Sequence, residues 1–317
     1  MGIGRKLLIG AGLTAASIAY NALDKLPHEP DNDFAPASAF VTIDGYRTHF
    51  IRRLPSQPMA GQPTIVLVHG FGGWTFVWRK DIDVLGAHYP TYAYDRWGFG
   101  LSAKPRDLEY TTELYVEQLR GLLDRFGIER AVLVGHSSGG PIAIRAAVEL
   151  GSRVVGLVLA ASSGLEPMPP AVLIRLFART PFATTLLRVL IKLNVFGEGM
   201  RIAYFDPAKF NQAVADGYDM PARTAGIENG LLGRLRSGNP NAGTKEMATQ
   251  VRTPTLVIVA DHDRIVPPWR GRRFADLIPH AKLAMIHEAN HMLVEECPDE
   301  FNHLVLDFVG GLLETII

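Results

Sequence analysis

AVLVGHSSGGPIAIRAAVEL, residues 131–150, is the stretch that decides how this chain folds. Ala131 to Val134 is a short apolar run of β type, and GHSSGG at 135–140 sets Ser137 between glycines directly after it. In a GxSxG elbow the serine occupies a cramped strand-to-helix turn, where a side chain two residues before or after it would collide with neighbouring backbone. Gly135 and Gly139 are the residues that geometry asks for. Pro141 suits a first helical turn, and Ile142, Ala143, Ile144, Ala146, Ala147, Val148 and Leu150 supply a buried helix over Ser137–Leu150. Such a turn lifts the Ser137 hydroxyl above the sheet edge, at a helix start whose free N–H groups favour developing negative charge.

The same alternation extends outward. Phe40–Ile43 and Tyr46–Ile51, joined by Asp44-Gly45, read as a β-hairpin. Thr64–Val68, Thr91–Tyr94, Val154–Leu159, Thr255–Val259 and Lys282–Ile286 join Ala131–Val134 as short apolar strands. Unbroken runs such as TIVLV and TLVIV suit strands buried on both faces, the condition of a parallel sheet covered by helices. Helices are predicted over Thr112–Phe126, Pro268–Leu277 and Pro298–Leu313, which makes the body an α/β sheet. The alternation stops over residues 166–251, where LIRLFARTPFATTLLRVLIKL and its neighbours offer helices and no strand, so an inserted helical cap is expected there. Over the sheet edge such a cap would form an apolar, partly dry pocket. Its Arg175, Arg188 and Arg201 are candidate partners for a substrate carboxylate.

Length and composition agree with a packed body spanning 39–165 and 252–317. A chain of 317 residues that is 47% hydrophobic can bury a sizeable core, and its 32 basic and 32 acidic residues cancel, which discounts nucleic acid as a partner. The single cysteine, Cys297, excludes an internal disulfide and a multi-cysteine metal cluster. At the amino terminus Arg5 and Lys6 precede an apolar run from Leu7 to Leu23, which approaches the length of a membrane-crossing helix. Residues 1–23 are therefore expected to be a single anchor holding the protein at the membrane, or alternatively an export signal, with Ser17 and Ala19 at small-x-small spacing. DKLPHEPDNDFAPAS, residues 24–38, reads as an extended linker. Nothing in the chain fixes an oligomeric state.

A serine hydroxyl is a poor nucleophile until a base takes its proton, and the base needs an acid to orient it. His291 lies in the loop between the last strand candidate and the last helix and is the first choice among ten histidines. TLVIVADHDRIVP places both Asp261 and Asp263 at the carboxyl end of a strand, where sites form in α/β sheets, and spacing alone does not separate them. HGFGG at 69–73 gives a glycine-rich turn after a buried strand, where the Phe71 N–H can join the Ser138 N–H as an oxyanion hole.

HGFGG, YDRWGFGLSAKP, GHSSGG, ADHDRIVP and NHMLVEECPDEF, in this order and spacing, resemble the α/β-hydrolase superfamily over roughly Phe40 to Leu313. The resemblance implies a mostly parallel eight-stranded sheet flanked by helices, interrupted by a cap. It selects Asp263, ahead of Ile265-Val266-Pro267, as the acid and leaves Asp261 in reserve. It also implies Ser137 as nucleophile, His291 as base, the Phe71 and Ser138 amides as oxyanion hole, and no cofactor or metal. Members that cleave carbon–halogen bonds carry aspartate at the elbow, so Ser137 removes that chemistry, and Trp97 is read as packing. The expected activity is a capped serine hydrolase of the esterase or lipase kind, acting on small hydrophobic carboxylic esters through an acyl-serine. The alternatives are a hydrolase of carbon–carbon bonds in diketones and a non-catalytic ligand-binding protein.

Overall fold

The computed structural model describes Gly10 and residues 13–19, 39–165, 171–193, 197–237 and 242–314. In chain order the elements are a short helix α1 (13–19), then β1 (Ala39–Ile43), β2 (Tyr46–Arg53), β3 (Thr64–Val68), α2 (Ile82–His88), β4 (Thr91–Tyr94), α3 (Thr112–Arg125), β5 (Ala131–His136), α4 (Gly139–Glu149) and β6 (Val154–Ala160). Five helices follow without a strand among the described residues: α5 (Ala171–Ala178), α6 (Pro181–Lys192), α7 (Gln212–Ala222), α8 (Ile227–Arg236) and α9 (Thr244–Ala248). The chain closes with β7 (Thr255–Ala260), α10 (Pro268–Leu277), β8 (Lys282–Ile286), α11 (Leu293–Glu296) and α12 (Pro298–Glu314).

The strands form one sheet in the order β1-β2-β4-β3-β5-β6-β7-β8. The β1/β2 and β2/β4 pairs are antiparallel and the remaining pairs parallel, which is the mostly parallel eight-stranded sheet expected. Successive residues of a central strand go to opposite sides of it. Ile65 and Leu67 of β3, with Val132 and Val134 of β5, pack in one core with Trp78, Leu85, Phe301 and Val305. Val66 and Val68, with Leu133, pack in the other with Leu119, Leu122, Ile142 and Ile144. Two cores on two faces explain why these strands are written as unbroken aliphatic runs. Helix α2 escapes the sequence reading, because seven residues that include Gly86 carry little helical periodicity.

The membrane-anchor expectation for residues 1–23 is corrected here. Among the described residues no helix is long and apolar enough to cross a membrane. The described part of the Leu7–Leu23 run is Gly10 and α1. Its Ser17 is buried and hydrogen-bonded to Thr185 of α6. The rest of that run and the linker at 24–38 lie outside the described residues, as do 166–170, 194–196 and 238–241 of the helical stretch.

The helical stretch is seated on the loop that follows β4. A Cβ on Gly230 of α8 would stand 1.8 Å from the Gly98 carbonyl oxygen, so only glycine permits this backbone-on-backbone contact. Asn229 donates to Lys104 O at 2.9 Å, and the buried Arg234 donates to Tyr110 O and Thr112 Oγ1 at 2.9 and 3.0 Å. Gly230→Ala is therefore expected to lower unfolding stability by about 1–3 kcal/mol, the range for overpacking a tight contact, seen as an earlier midpoint in a urea titration.

Candidate active site

Strand β5 ends at His136 and α4 begins at Gly139, leaving two residues to reverse direction. Ser137 makes the turn at φ 52°, a left-handed conformation that costs a non-glycine residue about 1–2 kcal/mol. Its backbone is fixed from three sides: Ser137 N–H donates to Ala160 O at 3.0 Å, and Ser137 O accepts from Gly140 at 3.0 Å and Ser163 at 3.1 Å. A Cβ on Gly139 would stand 2.2 Å from Val68 O, and one on Gly135 would stand 2.7 Å from Gly139 O. The two glycines thus let α4 start against the end of β3, which brings the 69–73 turn beside Ser137.

The other candidates converge on that hydroxyl. His291 Nε2 lies 2.9 Å from Ser137 Oγ, and His291 Nδ1 lies 2.9 Å from Asp263 Oδ2. Asp263 is 5% exposed and His291 6% exposed, so the relay is shielded from water. The other Asp263 oxygen, Oδ1, accepts from the N–H groups of Ile265 and Val266 at 2.8 and 2.7 Å. The carboxylate is thereby locked with one oxygen facing His291, which fixes the imidazole with its proton on Nδ1 and its acceptor toward serine.

Asp261 is spent elsewhere. It holds His262 at 2.7 Å and His287 at 3.1 Å on the surface. Partial burial raises its pKa, but these two side chains and the Ala289 and Glu288 backbone outweigh that and bring it down to about 2. His287, the other histidine of the loop that carries His291, faces solvent. Trp97 is buried and gives its indole N–H to Thr48 Oγ1 at 2.9 Å.

Neither the Phe71 nor the Ser138 N–H donates a hydrogen bond among the described residues, so both amides are available beside Ser137. The turn that carries Phe71 is held by His69. Its Nε2 accepts from Arg96 N–H at 3.0 Å, which places the imidazole proton on Nδ1, and that N–H donates to Gly70 O at 2.8 Å. Burial, then the neighbouring Arg96 charge, push the pKa of His69 down to about 3, so the ring is neutral. His136 is likewise neutral at about 3, chiefly through burial, and its Nε2–H donates to His291 O at 2.9 Å.

Several supporting residues escaped the sequence reading. Asn290 Oδ1 accepts from His291 and Arg264 N–H at 2.8 and 2.9 Å, while its amide donates to Ile202 O at 3.0 Å. Glu296 accepts from Asn290, Phe205 and Asp206 N–H. Glu295, fully buried, accepts from Arg79 and from the Tyr204 and Tyr218 hydroxyls. The segment 202–206 is thus tied to the histidine loop. The run Asn290-His291 followed by Glu295-Glu296 was the available signal, but nothing local distinguishes a buried glutamate from a surface one. Of the arginines nominated for a substrate carboxylate, Arg188 pairs with Glu228 at 2.5 Å and Arg201 with Glu198 at 3.0 Å.

A serine, an imidazole and an oriented carboxylate in hydrogen-bonded series, at the carboxyl end of a mostly parallel sheet with two idle amides alongside, are the arrangement that serine-dependent hydrolases use. Comparison with known proteins gives the family: the model of the alpha/beta hydrolase family matches residues 65–304, and the chain belongs to it. It is 28% identical to an uncharacterized hydrolase, YugF, of Bacillus subtilis (strain 168), covering 84% of this chain and 96% of that protein. It is 31% identical to a 2-hydroxy-6-oxononadienedioate/2-hydroxy-6-oxononatrienedioate hydrolase of Cupriavidus pinatubonensis, covering 87% and 96%. Among solved structures, a meta-cleavage product hydrolase (CumD) superposes with a TM-score of 0.72 at 25% identity, covering 87% of this chain and 98% of that one.

Two outcomes follow from the geometry. Asp263→Asn should lower kcat by roughly 10³–10⁴-fold by presenting the wrong imidazole tautomer, while Asp261→Asn should stay within about threefold, both measured on p-nitrophenyl butyrate. His69 and His136 have folded-state pKa values below the unfolded 6.5, so the unfolded chain binds more protons as pH falls from about 6.5 towards 3. Each histidine then removes about 1.4 kcal/mol of stability per pH unit well inside that window. Urea unfolding of His136→Gln between pH 6 and 4.5 should accordingly show a shallower pH slope than the unmodified protein.

Proposed function

We propose that this chain is a Ser–His–Asp hydrolase that splits the carbon–carbon bond beside a ketone in 2-hydroxy-6-oxo-dienoate-type substrates. The observation that carries the chemistry is the Ser137–His291–Asp263 relay with the unengaged Phe71 and Ser138 amides beside it. The substrate class rests on relatives named as hydrolases of such dienoates, which align over most of both chains.

His291 takes the hydroxyl proton as Ser137 Oγ adds to the ketone, and the carbonyl oxygen becomes an oxyanion facing the two amides. Cleavage needs the dienol first to shift its enol proton to the carbon beside the ketone, giving a 2,6-dioxo enone. When the carbon–carbon bond then breaks, its electron pair passes into that enone as a dienolate, which takes the proton from His291. The acyl group stays on Ser137 until His291 removes a proton from water, which attacks and releases a carboxylic acid. A vinylogous fragment makes carbon a workable leaving group because the negative charge is delocalised.

A second reading, carboxylic ester hydrolysis, uses the same relay with an alcohol as leaving group. It is favoured by the occupation of Arg188 and Arg201 by Glu228 and Glu198, which leaves those two side chains already neutralised against a substrate carboxylate. The exposed apolar side chains Leu173, Leu176, Phe177 and Leu186 on α5 and α6 also suit uncharged acyl chains.

The folded protein should be labelled by a fluorophosphonate and Ser137→Ala should not, with turnover falling by about 10⁴-fold or more in the variant. Absence of labelling in the unmodified protein would refute the hydrolase mechanism. Comparing kcat/KM for a 2-hydroxy-6-oxo-dienoate with that for p-nitrophenyl esters and monoacylglycerols decides between the two readings, and a higher value for the esters overturns the first.

A further inference from the structure

Arg96 is a fully buried cation near Ser137 that the relay leaves unused. Its side chain is 0% exposed, and it forms no ion pair among the described residues. Only Nη2 is engaged: it donates to Gly70 O at 2.6 Å and lies 3.3 Å from Ser138 Oγ. Among the described residues Nε and Nη1 have no hydrogen-bond partner. The guanidinium lies over the rings of Phe99 and Tyr115, 4.9 and 4.8 Å from their centres. A buried cation without a carboxylate is destabilising, and surrounding aromatic faces offset only part of that. Desolvation, with Arg234 nearby, lowers its pKa to about 10, so it still carries its charge at neutral pH.

What it touches gives the charge a use. Gly70 O and Phe71 N–H belong to one peptide group, so whatever binds the carbonyl acts on the amide across a planar, conjugated unit. Gly70 O accepts from Arg96, from His69 Nδ1–H at 2.8 Å and from Gly73 N–H at 3.3 Å, which fixes the peptide plane. A carbonyl bound by a cation shifts electron density away from its nitrogen and makes the N–H a stronger donor. The second contact, at Ser138 Oγ, reaches the residue that supplies the other amide.

We infer that Arg96 is a positioning residue for the oxyanion hole: through Gly70 O it orients and polarises the Phe71 N–H, and its charge lies behind both donors where negative charge develops. This deepens the proposed serine-hydrolase reading and rests on it. The benefit exists only once the carbonyl oxygen has become an oxyanion, so it acts on the transition state and not on substrate binding. Arg96 does not touch the substrate in this scheme. Lysine in its place keeps the charge but loses the planar fork aimed at the carbonyl.

The experiment uses p-nitrophenyl butyrate as substrate and an alkyl trifluoromethyl ketone as inhibitor, because its adduct with Ser137 places an oxyanion on the two amides. Arg96→Met is expected to lower kcat by roughly 10–100-fold with KM within about threefold, and to weaken the inhibitor by the same factor as kcat/KM. Arg96→Lys should recover part of both losses. A role confined to packing predicts instead a lowered melting temperature with inhibitor affinity within twofold of the unmodified protein, and that result overturns the inference. A Gly70 ¹³C-carbonyl resonance in the unmodified protein, measured without any substitution, should lie downfield of the other loop glycines. A shift equal to theirs overturns it as well. Failure of the unmodified protein to label with fluorophosphonate would instead strike at the proposed function, so the two failures are distinguishable.

Discussion

The approach of α4 to the end of β3, with Gly139 against the Val68 carbonyl, is the contact on which the rest of the site depends. If that spacing opened by the width of a methyl group, Ser137 would lose its left-handed turn and the 69–73 loop would move away from it. The strain at Ser137 is held because each flanking group is already committed: Ala160 and Ser163 take its backbone, and the sheet fixes both strands. A buried sheet, a short turn and a helix N-terminus thus combine to aim one hydroxyl.

Much of this was legible because it is written in local spacing. Runs such as TIVLV and TLVIV announce strands covered on both sides, and the division of Ile65/Leu67 from Val66/Val68 between two cores shows why. Ser137 and His291 stand at predictable ends of elements. The choice of Asp263 over Asp261 needed more than spacing, because both follow β7 and either could bind its own loop. The structure separates them through Ile265 and Val266, whose amides turn one oxygen of Asp263 towards His291. Residues that act across long sequence separations left no local trace: Arg96 acts on Gly70, and Glu295 on Tyr204 and Tyr218. The amino-terminal run misled because hydropathy alone reads glycine, alanine, serine and threonine as filler. In α1 the hydroxyl of Ser17 has a specific partner in Thr185.

Polar burial around Ser137 is graded. Asp263 is fully provided with donors, His69 and His136 are kept neutral by burial, and Arg96 retains a charge with no acid beside it. In a low-dielectric surrounding each of these is felt more strongly than in water. Uncharged imidazoles and a buried guanidinium near the serine bias the region towards anions. Under the proposed function the same arrangement would serve a ketone or an ester, since both become the same kind of tetrahedral oxyanion.

The bonds from Asn290, Glu295 and Glu296 to residues 202–206 and 218 have a mechanical meaning. The loop that presents the base and one wall of the helical insertion share buried carboxylates, so they form a single cooperative unit in which neither side relaxes without the other. Any displacement of that wall therefore also detunes the imidazole.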